Sequence, residues 1–550
     1  MKIHPMTKKL LSATAMLALL VGTTGSLSAA DKGGKKLLVY ILGGQSNMQG
    51  HAEVSTLAYL PKPAYVPTAE EWAMMTSWLD RDVRVKSEPT IRENLMKDPE
   101  SAKLPKKEFG ELLAKTLKVE IDKVRAERYE EFKKRQTDPA RLARDKELSA
   151  IFTPKLTDQI VVNTMTLTKP MKGAVELATT WEQKMGTPFG KRTYIAAYGG
   201  VNRAAEPGVA TGPLSTGFGA RPTAFGPEYA FGIMLEKNLD QPILIIKTAW
   251  GGKSLHYDFR PPSAGPYQPT ANEKAQLEKW QARKEVWDKY IAGGGVEKEM
   301  VQMAKDIKNL ESNKRNLQAA IAKLPKEQQA AEQEKLTALN TKSKELQGKL
   351  VPPPGEMPSQ AAASFYWNEM ITFVRKVLAD PKAYHPEYDP AAGFEVAGGV
   401  WFQGFNDQFD PEYYGNYASN MVHFIQDLRK EVKQPKMPFV IGVLGTAAFR
   451  EEALTNNVAN GHREAARSPE LAGTVAAVES WPLTTPEVAI WRMKKDALQG
   501  KASPAESEQA DSQWRMHGSN QGYHYDGSGR FFIRLGDAFA TEMLKLMKRD

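Results

Sequence analysis

Six short runs of apolar, β-prone residues punctuate the chain: Lys36 to Leu42 (KLLVYIL), Arg192 to Ala197, Pro242 to Thr248 (PILIIKT), Phe394 to Phe402, Pro438 to Leu444 and Thr474 to Val478. They are continuous rather than alternating, as strands are when helices cover both faces of a parallel sheet. Helical spacing fills the gaps. Tyr417, Met421, Phe424 and Leu428 share one stripe, and Phe532, Leu535, Phe539, Met543 and Leu546 share another. Strands alternating with helices predict a doubly wound α/β sheet.

Two stretches break this rhythm. From about Pro99 to Leu148 the chain is charged and helical, with Leu113, Leu117, Ile121 and Val124 on one face. From about Asn272 to Leu350, Met300, Met303, Ile307, Leu310, Leu317, Ile321 and Leu324 follow spacings of three and four; Pro325 halts the helix, and Leu336, Leu339, Leu346 and Leu350 resume the seam. This predicts an antiparallel coiled-coil hairpin. Three uses fit it: self-association, a docking arm, or an insertion whose helices bury each other's stripes without any partner. The expected organisation is a leader (1–30), a catalytic domain in three pieces (31–98, 161–271 and 356–550), a helical insertion (99–160) and the hairpin (272–355).

Composition changes the picture in three places. With 550 residues and 41% hydrophobic content, the chain can bury a full core and still carry appendages. A formal charge of +9 is spread along it, so a solvated surface fits better than a nucleic-acid partner. Absence of cysteine excludes disulfides, cysteine nucleophiles and thiolate metal sites. At the N-terminus, Lys2, Lys8 and Lys9 precede an apolar run from Leu10 to Val21, and Ser28-Ala29-Ala30 offers a cleavage site. That run is shorter than the ~20 residues a spanning helix needs. The expectation is export to the periplasm or the extracellular space, with no membrane attachment after cleavage near Asp31.

The first strand runs directly into GGQSNMQGH, placing Ser46 at the edge of the sheet where ligands bind. Position alone favours an N-cap, which is what serines after strands most often are. Other strand ends shift that judgement. ILIIKTAW ends in Gly251-Gly252, supplying backbone N–H groups, and VAGGVWF ends in Gln403-Gly404-Phe405-Asn406-Asp407, supplying a carboxamide. Such donors are what an oxyanion hole requires.

GGQSNMQGH, KTAWGGKSL, WFQGFND and GYHYDGSGRFFIRLGDAFA resemble the nucleophile, glycine, asparagine and histidine blocks of the SGNH hydrolases, and most of all the carbohydrate-esterase branch with sialate O-acetylesterases and acetylxylan esterases. GPLSTGFGA and FGPEYAFG resemble connecting segments of its bacterial members. The resemblance covers roughly the mature chain outside the two insertions. It implies a mainly parallel, five-stranded, flavodoxin-like sheet. It also implies Ser46 as nucleophile and His524 as general base, with the Ser46 amide, Gly251 or Gly252, and Asn406 as oxyanion donors. The substrate would be an acetylated carbohydrate; neither cofactor nor metal is required, and the eight histidines are scattered without an HExxH motif.

Two positions depart from the family. Where relatives often carry aspartate three residues before the histidine, this chain has Gln521, and where they commonly have glutamate in the asparagine block it has Phe405. The group behind the base is therefore open among Asp407, Glu479 and a serine–histidine dyad without a carboxylate, Asp407 being preferred; Asp526 reads as a helix cap. Gln45, Gln403, Trp250 and Trp401 are candidate substrate contacts. Tyr257 and Phe409 also flank the strand ends, while His51 and His256 read as structural or as supports behind the site. A second class of function is a silent carbohydrate-binding or scaffolding protein on the same fold.

Overall fold

A computed structural model describes residues 34–154, 186–200, 208–321, 324–354, 363–446, 456–498 and 503–548. The expected leader and the 160/161 boundary lie outside them.

The strands are β1 (Leu37–Gly44), β2 (Ala52–Glu53), β3 (Thr193–Gly200), β4 (Val209–Pro213), β5 (Ala224–Phe225), β6 (Ile243–Trp250), β7 (Phe394–Phe402), β8 (Phe439–Val443) and β9 (Val475–Glu479). All six expected runs form strands. The main sheet has seven strands in the order β4-β3-β6-β1-β7-β8-β9, and β2 pairs with β5 apart from it. The five-stranded expectation is thus corrected. β3 extends the sheet in parallel beyond β6, and β4 closes that edge antiparallel to β3. β4 escapes a hydrophobicity search because VATGP is short and largely exposed.

Both faces of the sheet are covered, which explains the unbroken apolar strands. One face packs on Pro139–Phe152, Pro227–Asn238 and Gly529–Met547; the other packs on Phe365–Ala379, Tyr417–Glu431 and Asn457–Ala466. The predicted stripes of Tyr417 to Leu428 and Phe532 to Leu546 face these cores. The chain runs from β1 outward to one side of the sheet and later, through β7, to the other, so the carboxyl ends of β1, β6 and β7 border a crevice at the switch point.

Helical sequence begins earlier than the expected boundary at 99. Ala69–Met75 and Leu79–Lys97 precede Lys106–Gln136, and Leu79, Val83 and Ile121 bury against one another. In the second insertion Glu297–Ile321 packs on Lys326–Lys349, with Ser343 Oγ donating to Glu311 at 2.6 Å. Met300, Ile321 and Leu336 are its buried apolar side chains. The preceding helix, Ala271–Ala292, opens with a capping box between Thr270 and Glu273 and is tied to the segment after β7 by Asn272 on Asp410 and Tyr413 on Glu273. Among the described residues no helix is long and apolar enough to cross a membrane.

Candidate active site

β1 ends at Gly44, Gln45 turns the chain, and Ser46 opens the short helix Ser46–Gln49. Ser46 is the first helical residue rather than the cap, so its N–H belongs to the first turn and has no intrahelical partner. Gly50 follows with φ +93°, and a Cβ there would lie 2.3 Å from Gly226 Cα, so a side chain is excluded on both counts. Beneath this turn, Lys247 of β6 donates to the carbonyls of Gln49 and Phe218 at 2.8 Å each and pairs with Glu228 at 2.8 Å. Both ions are fully enclosed. Burial lowers the lysine and raises the glutamate, each offset by its partner's charge.

His524 stands in the tight turn Gly522–Gly527, ahead of the helix Gly529–Met547. Tyr525 and Asp526 adopt φ of +50° and +59°, a strained conformation for side-chain-bearing residues. The turn is held by Ser519 and Asn520 N–H groups donating to Asp526 O at 2.8 and 3.0 Å. Asp526 does not cap the helix as expected. Ser528 does, accepting from Phe531 N, while the Asp526 carboxylate pairs with Arg492 at 2.6 Å.

Residues beside the serine touch residues beside the histidine. Asn47 Nδ2 donates to Tyr523 O at 3.1 Å, and the His51 ring stacks on His524 at 3.9 Å between centroids and 8° between planes. Asn520 bridges the two imidazoles: its Oδ1 lies 2.9 Å from His524 Nδ1 and its Nδ2 lies 3.3 Å from His51 Nδ1. An amide oxygen only accepts, so Nδ1 of His524 carries the hydrogen and Nε2 is left as the basic nitrogen. Burial, with Arg221 adding to it, holds the His524 imidazolium pKa down at about 4. Burial does the same to His51, at about 3, helped by His524, Arg221 and Lys247.

The glycine and asparagine blocks are joined at the adjacent strand ends. Gly252 takes φ +71° with open space where a Cβ would stand, and Asn406 Nδ2 donates to its carbonyl. Asp407, the preferred acid, does something else. Its buried carboxylate accepts from Leu255 N at 3.1 and 3.0 Å, His256 N at 3.0 Å and Gln403 Nε2 at 2.6 Å. Burial pushes its pKa up to about 7. It latches the loop after β6 to the loop after β7, and the group on His524 is Asn520 instead. Glu479 is held by Arg463 at 2.7 and 3.0 Å. Gln521, exposed, contributes its backbone carbonyl to His524 N.

Among the candidate substrate contacts, Trp250 and Trp401 are enclosed in the core, Trp401 Nε1 donating to Tyr417 Oη at 3.2 Å. Neither can stack on a sugar. Gln403 is also enclosed, donating to Gln45 Oε1 at 3.4 Å and Lys253 O at 2.8 Å and accepting from Tyr417. The available aromatics form a row on the surface: Phe409 (68% exposed) packs on Phe405, Phe405 on Tyr523 (46% exposed), and Tyr523 edge-on against His524. His256 is structural as expected, stacked on Tyr413 and hydrogen-bonded to Asn420. Asn520 is the residue that sequence reasoning missed, together with the stacking of His51 on His524. Asn520 is one step from the position scanned for an acid, and a histidine stack leaves no trace in spacing. Among the described residues no group of three His, Asp or Glu converges on a metal site.

A strand-end serine, two further strand ends carrying oxyanion-type donors, and a histidine with its tautomer fixed define the class to which the chain is similar. A family model described as carbohydrate esterase, sialic acid-specific acetylesterase, matches residues 360–487, which hold β7, β8, β9 and the asparagine block. The chain thus resembles the SGNH carbohydrate esterases. A search of curated proteins finds no match. Among solved structures, similarity extends to a protein from Arabidopsis thaliana (11% identity, 65% of this chain and 82% of that one, TM-score 0.27). It extends also to a carbohydrate acetylesterase from Xanthomonas citri (12% identity, 56% of this chain and 49% of that one, TM-score 0.25).

Proposed function

We propose that the protein is a serine esterase that removes O-acetyl groups from carbohydrates through an acetyl-enzyme on Ser46. The reading rests on one juxtaposition: the segment Ser46-Asn47 meets Tyr523-His524 at the sheet edge, where Asn520 leaves His524 Nε2 free to act as a base.

In the first step Nε2 takes the Ser46 hydroxyl proton as Oγ attacks the acetyl carbonyl, and the Oγ–C bond forms. The oxyanion is received by the Ser46 amide, a glycine N–H after β6 and the second hydrogen of the Asn406 amide, the first being used on Gly252. As the intermediate collapses, the bond from acetyl carbon to sugar oxygen breaks and the imidazolium returns its proton to the leaving sugar. Water, activated by the same nitrogen, then hydrolyses the acetyl-serine.

The test is acetate release from aryl acetates and acetylated sugars. Ser46→Ala should lower kcat by at least about 10³-fold, as losing a nucleophile does in serine hydrolases. A wild-type rate equal to that of the alanine variant would leave the silent binding protein as the better account. That alternative draws on one observation: no carboxylate among the described residues hydrogen-bonds to His524.

A further inference from the structure

A cavity of about 400 Å³ opens beside the catalytic turn, within the range of about 300–1,000 Å³ that small-molecule sites occupy. Two of its lining residues lie beside the site: Tyr523 packs edge-on against His524, and Phe405 precedes Asn406 in the chain. Trp78, in the turn between Ala69–Met75 and Leu79–Lys97, and Tyr525 add two further aromatics, and Thr484 and Thr485 add hydroxyls. Flat apolar rings with hydroxyls between them match a pyranose, whose C–H faces are apolar and whose edge is a ring of donors and acceptors.

Electrostatics narrows the ligand further. Among the described residues of the lining Arg492 is the one cation, and its guanidinium already pairs with Asp526, whose side chain is 14% exposed. A sugar carboxylate would have to take Arg492 from Asp526 and strand one of the two acids without a partner in a low-dielectric site, an arrangement that is costly. Nearby, Lys494 and Lys495 are held by Glu71 and Asp511 at 2.8 Å each. An uncharged sugar asks for none of these exchanges.

We infer that this cavity is the subsite for the sugar of the leaving group and that it takes uncharged acetylated pyranosides in preference to acidic sugars such as sialic acids. The inference rests on the esterase reading for its orientation, but binding can be measured without turnover. Calorimetric titration of the intact Ser46→Ala protein with fully acetylated methyl xyloside and with O-acetylated sialic acid should give a Kd at least about tenfold lower for the xyloside. Adding Trp78→Ala, its fold verified by thermal melting, should weaken xyloside binding by about tenfold. Equal or tighter binding of the sialic acid, binding of neither sugar, or an unchanged xyloside Kd in the Trp78→Ala protein would overturn the assignment. Failure of the esterase reading appears separately, as wild-type acetate release no faster than that of Ser46→Ala.

Discussion

At Asn520 the carboxamide oxygen decides which nitrogen of His524 carries hydrogen, yet it brings no charge to offset the imidazolium that the proposed mechanism requires. His51 completes the arrangement: by accepting from Asn520 Nδ2 it turns the amide oxygen toward the base. Asn520→Asp would supply the missing anion. The sign follows from the present state of His524, neutral above about pH 4 because burial disfavours its charged form. Activity dependent on the neutral base therefore rises through about pH 4 and is flat above it. An anion at Nδ1 favours the imidazolium, so the acid limb of kcat/KM should move up by about 1–3 pH units while kcat rises. The pH profiles of wild type and Asn520→Asp measure both; an unmoved limb would show that the side chain at 520 does not govern the base. The places of Ser46 and His524, at a strand end and just ahead of a helix, were legible in the sequence because each sits in a block whose neighbours are dictated by that strand end or helix start. Asp407 and Trp401 were misassigned from the same blocks. Sequence gives distance along the chain from a strand end, whereas the direction of a side chain there depends on partners in other elements, for Asp407 as far as 152 positions away.

Among the elements, β6 supports the nucleophile turn from below through Lys247. Its ammonium satisfies two carbonyls and one carboxylate, and Glu228 in turn accepts from Gly226 N at 2.9 Å, beside Gly50. Removing one partner leaves the other charged and enclosed. Lys247→Met should cost about 3–5 kcal/mol of unfolding free energy, and the pair Lys247→Met with Glu228→Leu should recover part of it, since buried ion pairs are often replaceable by apolar contacts. Urea unfolding of the three proteins measures this; a Lys247→Met loss below about 1 kcal/mol would contradict the arrangement. The lysine in PILIIKT reads as an interruption of an apolar strand, and only its three partners reveal its use. Strands buried on both faces announce themselves by composition, as all six expected runs show. The edge strand β4 has no such signal, being held by pairing to β3 rather than by burial of its side chains.

Across the whole molecule, the segment after β1 is stitched to the segment around Gly522–Met547. Asn47 meets Tyr523, Glu53 N donates to Ser519, Gly529 N donates to Thr56, and Arg530 holds the carbonyls of Tyr59 and Lys62. The first of these contacts joins residues 476 positions apart. Contacts of such separation close late, because the chain between them must first be ordered. On refolding from urea, far-UV circular dichroism should recover ahead of acetate release; simultaneous recovery would argue against late assembly. The overall architecture was legible because alternating strands and helices admit few topologies. The stitching was not, since nothing local in GGQSNMQGH or GYHYDG indicates that the two ends of the catalytic unit share one amide. A consequence concerns incomplete copies of the protein. A chain cut before residue 519 would lose the proposed base and also the helix Gly529–Met547 that covers one face of the sheet. Under the proposed mechanism, acetate release would therefore report that the chain has folded through Gly529–Met547.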